Sequence, residues 1–334
     1  MYIALSKLNK KLEKVMPVLT PIGVVLGVLL ATWLKPYAFL VPWIFAGMTF
    51  AGSLGSSFKD LARVILHPYP LLVCLTVLHV VMPIVALTAG NIIFPGDAYT
   101  ITGVLLAFTI PTGVISLMWV SIYKGNVALT ISLILIDTFL SPFLVPYTLH
   151  LLVGAEVVFN TFDLMKGLFW MVVLPSIAGM VLNKWSGGTA KEKLGAPLAP
   201  FSKLALGVVV AINSSVVAPY LKQFDRKLLV IFIAVLCMAA SAYAIGWLVA
   251  RLMKWDRGII VALTFNSGMR NISAGAVLAT TYFPAPVAMP VIIGMLFQQI
   301  LASFYAFLLR SRYGSGSDAQ AAKPAAAGER NITA

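Results

Sequence analysis

Two full charges, Arg270 and Asp137, stand deep inside long apolar stretches of a 334-residue chain in which 60% of residues are hydrophobic and only 10% are charged. Ionisable groups at membrane depth are costly, and they mark function by default. Arg270 follows Asn266 by four residues, which puts both on one face of a continuous helix, and Asp137 follows Thr130 by seven, two helical turns along one face. An unpaired charge at such a depth is expensive, so the sequence predicts that Arg270 and Asp137 pair. An anionic ligand would then compete with Asp137 for the guanidinium, and protonation of Asp137 would free it and couple anion binding to protons. The alternative is a structural ion pair that tethers two helices.

Arg270 belongs to an interrupted segment, Phe265-Asn-Ser-Gly-Met-Arg-Asn271, and a second interruption, Thr109-Ile-Pro-Thr-Gly113, lies in the first half of the chain. Proline removes a backbone donor, and glycine lowers helix propensity by about 1 kcal/mol. Such segments unwind, and unwound backbone at membrane depth must be buried or line a wet cavity, because lipid satisfies no amide. The helices are expected to restart near Thr112 and near Asn271, each presenting free N–H groups and a partial positive charge. Two such ends meeting at the midplane would attract an anion. The plainer reading is two kinked helices. His79, three residues before Met82-Pro83, reads as a hydrogen-bonded packing residue.

The elements that position these groups are apolar spans of about 20 residues, each long enough to cross a hydrocarbon core. They are expected at 15–34, 38–56, 69–90, 100–123, 127–152, 164–183, 200–220, 227–250, 258–282 and 286–309, with an amphipathic interfacial stretch, Ser57 to Leu66, after the second. The first run is too long for the core of a secretory leader and reads as a span. The chain thus divides into a short cytoplasmic segment (1–14), a transporter domain (15–310) and a disordered cytoplasmic tail (311–334). Of the 24 lysines and arginines, five (Lys35, Lys166, Lys222, Arg226 and Lys227) fall on one side and Arg270 falls within a span, leaving 18 on the side of the N-terminus. By the positive-inside rule this predicts an inner-membrane protein with both termini cytoplasmic. Five spans per half (15–152 and 164–310) force the second half to enter with opposite orientation, so the expected fold is an all-α inverted repeat in which spans four and nine are broken and cross.

The net charge of +13 does not indicate a nucleic-acid partner, because the basic residues sit at span ends rather than in one patch. The two cysteines, Cys74 and Cys237, lie in apolar segments and suggest neither a disulfide nor a metal site. Tryptophans near span ends read as an interfacial belt. No phosphate-binding loop, metal-ligand cluster or nucleophile–base set is visible, so neither a cofactor nor an enzymatic activity is expected.

Gly47-Met-Thr49, His67-Pro68 with Met82-Pro83, Pro111-Thr-Gly113 with Ser116, Lys124-Gly-Asn-Val-Ala-Leu129, and Gly268-Met-Arg-Asn271 leading to Tyr282-Phe283 resemble the bile acid:sodium symporter family over residues 15 to 310. The resemblance implies a ten-helix fold with a panel and a core domain, and two sodium ions close to the crossing. It also implies substrate contacts at Thr112, Gly113, Val114, Ser116, Ser267 and Asn271. Ser116 and Thr130 match hydroxyl ligands of the family. Other ion-site positions depart from it: Leu117 replaces an asparagine, Ile134 a threonine, Leu78 a glutamine, Asn266 the glutamate shared by both sites, and Arg270 a glutamine. Sodium prefers several oxygen ligands with carboxylate charge. The expected function is therefore secondary transport of a small organic anion by alternating access without sodium coupling, Arg270 supplying the positive charge that sodium supplies in the family. The alternatives are an integral-membrane sensor that keeps the fold, or a distant arsenite- or auxin-type exporter.

Overall fold

The structure is a computed structural model that describes residues 2–58, 68–154, 156–222 and 225–313. Among them there is no strand, and the one isolated β-bridge joins Thr112 to Arg270. Helices satisfy their own backbone groups, which is what a chain in lipid requires. In chain order they are α1 (Tyr2–Leu29), α2 (Ala31–Ser53), α3 (Pro68–Ile93), α4a (Ala98–Thr109), α4b (Ser116–Ile122), α5 (Val127–Val153), α6 (Thr161–Trp185), α7 (Lys191–Val216), α8 (Arg226–Leu252), α9a (Arg257–Gly268), α9b (Ile272–Tyr282) and α10 (Ala285–Tyr313). Among the described residues seven helices, α2, α3, α5, α6, α7, α8 and α10, are long and apolar enough to cross a membrane. Shorter apolar helices occupy Val18–Leu29, α4a and α9b.

The helix starts follow from local chemistry. Asp97, Asn126, Asn160, Asp225, Asp256 and Asn271 each precede a helix, and each side chain accepts a hydrogen bond from a backbone N–H in the first turn, satisfying a donor that the helix leaves free. The seventh span starts at Lys191, not near residue 200, because a π-helical turn at Lys191–Gly195 runs directly into the helix. Its Pro197 falls in the first α-helical turn, where a missing N–H costs little. The interfacial stretch expected at Ser57 to Leu66 lies almost wholly outside the described residues, and so does the tail from Gly314.

Packing sorts the helices into two groups. Helix α1 lies along α7, and α2 packs on α6 and α7. In the other group α3 packs on α4a, α8 on α9a and α10, and α10 on α4a and α9b. The deepest burial is in the broken helices: every residue of α4a from Thr100 to Thr109 and of α9a from Ile259 to Gly268 is buried. By contrast Trp33, Trp43, Trp170 and Trp185 face outward, as side chains at a bilayer interface do. Trp119 does not belong to that belt. Its ring stacks on Phe265 at 5.8 Å, and its Nε1 donates to Gln299 Oε1 at 3.3 Å.

Candidate functional site

Helix α4a ends at Thr109 and α9a at Gly268, and the two unwound segments run antiparallel across each other. Each supplies what the other lacks. Gly113 N–H donates to Met269 O at 2.7 Å, and Asn271 N–H donates to Pro111 O at 2.8 Å. The Thr112 hydroxyl donates to Asn266 O at 2.9 Å and to Met269 O at 3.1 Å, satisfying carbonyls at the end of α9a. Pro111 has no N–H to satisfy. The contact is close enough that a Cβ on Gly113 would stand 2.8 Å from Arg270 O, so only glycine fits there.

The restarts differ from expectation at one of the two breaks. Helix α9b begins at Ile272 with Asn271 as its cap, as the sequence suggests, whereas the first-half helix restarts at Ser116 rather than near Thr112. The intervening residues form a turn in which Ser116 N–H donates to Gly113 O at 3.0 Å. Thr112 N–H is not a free donor for a ligand either, since it donates to Asp137 Oδ2 at 2.6 Å.

The direct pairing of Arg270 with Asp137 is corrected by the structure. Asp137 Oδ1 meets His79 Nε2 at 2.5 Å, and its other oxygen takes the Thr112 N–H. Arg270 is turned to carbonyls: Nη1 donates to Ile110 O at 3.3 Å and Nη2 to Leu78 O at 3.5 Å, while its Nε has no partner among the described residues. The reason lies in the backbone of the crossing. The break frees a donor at Thr112, which a carboxylate satisfies, and leaves the Ile110 carbonyl free, which a guanidinium satisfies. A π-helical turn at Val77–Val81 in α3 presents both His79 and the Leu78 carbonyl to this centre.

A cavity of about 420 Å³ reaches the crossing from the end of α2 and the start of α7. Gly113, Val114, Leu117, Ile134, Arg270 and Asn271 line it, with Ser53, Ser56 and Lys191 toward its other end. Thr112, Ser116, Ser267, Thr130, Asn266 and Leu78 do not line it; they are packed behind its wall. Among the described lining residues the charged ones are Arg270 and Lys191, with no carboxylate.

Behind the wall, Ser116 Oγ donates to Asn266 Oδ1 at 2.8 Å, and Asn266 Nδ2 donates to Thr130 Oγ1 at 3.0 Å and to Ala262 O at 2.7 Å. Ser267 Oγ lies 3.9 Å from Cys74 Sγ. The Tyr243 ring stacks on Tyr305 at 4.9 Å and lies edge-on to Phe265 at 6.5 Å, and its hydroxyl donates to Gln298 O at 3.1 Å. His79 is the site residue that the sequence did not bring forward, because nothing in its neighbours' types reveals the π-helical turn that aims it.

An apolar helical bundle with two broken helices crossing beside a buried cation and a cavity is built to move a solute through a membrane. A profile of the SBF-like CPA transporter family matches residues 37–311, and the chain belongs to that family. It is a multi-pass membrane transporter, not an enzyme. It is 52% identical over 294 residues, 88% of this chain and 96% of the relative, to the uncharacterized protein YbaS of Bacillus subtilis (strain 168). It is 28% identical to the uncharacterized sodium-dependent transporter YocS of the same organism, over 78% of this chain and 79% of that one. It is also 26% identical to the probable chloroplastic sodium/metabolite cotransporter BASS1 of Oryza sativa subsp. japonica, over 84% of this chain and 67% of the relative.

Proposed function

We propose that the protein carries a small organic anion by alternating access, with Arg270 as the anion's partner and without sodium as the coupling ion. The observation that carries this reading is the cavity itself, whose charged lining is cationic, whose wall is otherwise largely apolar, and which ends on a buried guanidinium. A carboxylate or similar head group would pair with Arg270, and an apolar body would lie against Val114, Leu117 and Ile134. Gly113, Asn271 and Ser273 bring backbone and polar atoms to the same wall.

The helix pairings support an inverted ten-helix repeat. The first helix packs on the seventh as the sixth packs on the second, and the third packs on the fourth as the eighth packs on the ninth. Those are the equivalences expected if residues 15–152 and 164–310 are copies of opposite orientation. With the basic side facing the cytoplasm, the cavity opens inward.

YocS and BASS1 carry sodium in their names, but the side chains at the positions where the family resemblance would put the ion do not suit it here. The hydroxyls of Ser116 and Thr130 are engaged with the amide of Asn266, and Nδ2, a donor, points at Thr130 Oγ1 where a cation would need an oxygen. Leu78, Leu117 and Ile134 add no side-chain oxygen.

The test is a screen of organic acids for thermal stabilisation of the purified protein, run in sodium chloride and in choline chloride at equal ionic strength, since a ligand that binds only the folded state raises its stability. At least one acid is expected to stabilise the protein equally in both salts. A saturable sodium requirement would overturn the ion assignment, and stabilisation by no organic acid would overturn the anion reading.

A further inference from the structure

We infer that His79 and Asp137 form a proton-binding site whose occupancy sets the net charge that an anion meets at Arg270; the role in transport rests on the anion reading above, while the proton site itself does not. Nitrogen and oxygen 2.5 Å apart require a proton between them, so Nε2 and Oδ1 share one. Asp137 Oδ2 already accepts the Thr112 N–H. The dyad's remaining position for a second proton is His79 Nδ1, a buried atom with no hydrogen-bond partner among the described residues. A side-chain nitrogen left unpartnered in a buried polar cluster calls for an explanation, and a site for an exchangeable proton provides one.

The other titratable or charged groups facing the dyad among the described residues are Arg270, from the ninth-helix break, and Cys74, one turn before it on α3; both lie within electrostatic reach of Asp137. With one shared proton the dyad carries a single negative charge that offsets Arg270. With a second proton on Nδ1 the dyad is neutral, the carboxylate remaining ionised against an imidazolium, and the charge of Arg270 is left for an incoming anion. Proton and anion then enter in equal number and the centre stays balanced. Each must tighten the binding of the other, because linkage between two sites is reciprocal. The π-helical turn is what couples the parts, since it aims His79 at Asp137 and hands the Leu78 carbonyl to Arg270.

The test is a pH titration by nitrogen NMR of the full chain, labelled at its three histidines and held in lipid nanodiscs, with the His79 signal identified by its loss in His79→Gln. As pH falls from about 9 to about 5, the range a histidine covers when neighbours act on it, His79 Nδ1 is expected to pass from unprotonated to protonated. Arg270→Gln, which removes a positive charge as a bound anion would neutralise it, is expected to make His79 take up its proton at a pH higher by about one unit or more. Arg270→Lys is expected to leave the titration near that of the native chain and controls for packing. A His79 signal that keeps one form across the whole range would overturn the inference, as would a titration unmoved by Arg270→Gln. Should Arg270→Gln fail to fold, the native titration alone decides. Failure here would leave the organic-acid screen untouched, and failure of that screen would leave this titration standing.

Discussion

Ser116, Asn266 and Thr130 form a closed hydrogen-bonded cluster behind the cavity wall. The three side chains close on one another through a neutral amide, and all are buried. Ser116→Ala would leave Asn266 Oδ1 buried without its donor, a loss of about 1–3 kcal/mol. Chemical denaturation of the purified protein should show this, with little change in anion affinity, since neither residue lines the cavity. A Ser116→Ala protein as stable as the native one would mean that the amide is satisfied in another way. The identities of Asn266, Arg270 and Asp137 were legible as unusual in the sequence, but their pairing was not. Spacing along a helix says which residues share a face, whereas the partner of Asp137 is fixed by a turn geometry in α3 and by a donor freed at Thr112, neither of which is a property of residue type.

The broken helices are held by packing as much as by hydrogen bonds. A Cβ on Gly268 would fall against the Tyr243 ring, which is itself wedged between Phe265 and Tyr305. Gly268→Ala is therefore expected to destabilise the protein by about 1–3 kcal/mol through overpacking and to lower the thermal unfolding midpoint. At the start of α4a, Asp97 caps the helix through Thr100 N–H and pairs with Lys227 at 2.7 Å. Partial burial alone would raise its pKa, but the bonds to Lys227 and Thr100 outweigh that and hold it below the ordinary carboxylate value. Its contribution is thus present above the unfolded-state pKa and is lost as pH falls through the lower folded value. Asp97→Ala should cost about 1 kcal/mol at neutral pH, and the deficit should shrink toward zero in thermal scans carried down through that acid range. Strongly apolar helices such as α5 and α8 were read from hydropathy to within about two residues, because composition decides them. The start of α7 was not, because a π-helical turn carries the helix through residues whose charges suggest a loop.

Across the whole molecule, two groups of helices enclose a cavity that ends at the crossing, and under the proposed orientation its mouth faces the cytoplasm. A reporter fused after Arg312 should give a cytoplasmic signal; a signal from the opposite side would sink both the orientation and the opposite insertion of the two halves. The two broken helices were legible because proline and glycine interrupt two otherwise apolar runs, while the cavity, which draws on distant parts of the chain, was not.

The proposed recognition of an anion by Arg270 is open to a functional test. Its most direct measurement is uptake of the acid that stabilises the protein into proteoliposomes, comparing the native chain with Arg270→Gln and Arg270→Lys, each first shown to be folded. Arg270→Gln is expected to abolish uptake, and Arg270→Lys, which keeps the charge but loses the planar fork, to retain a fraction of it. Uptake by Arg270→Gln at the native rate would overturn this role and leave the buried guanidinium as a support for the crossing alone.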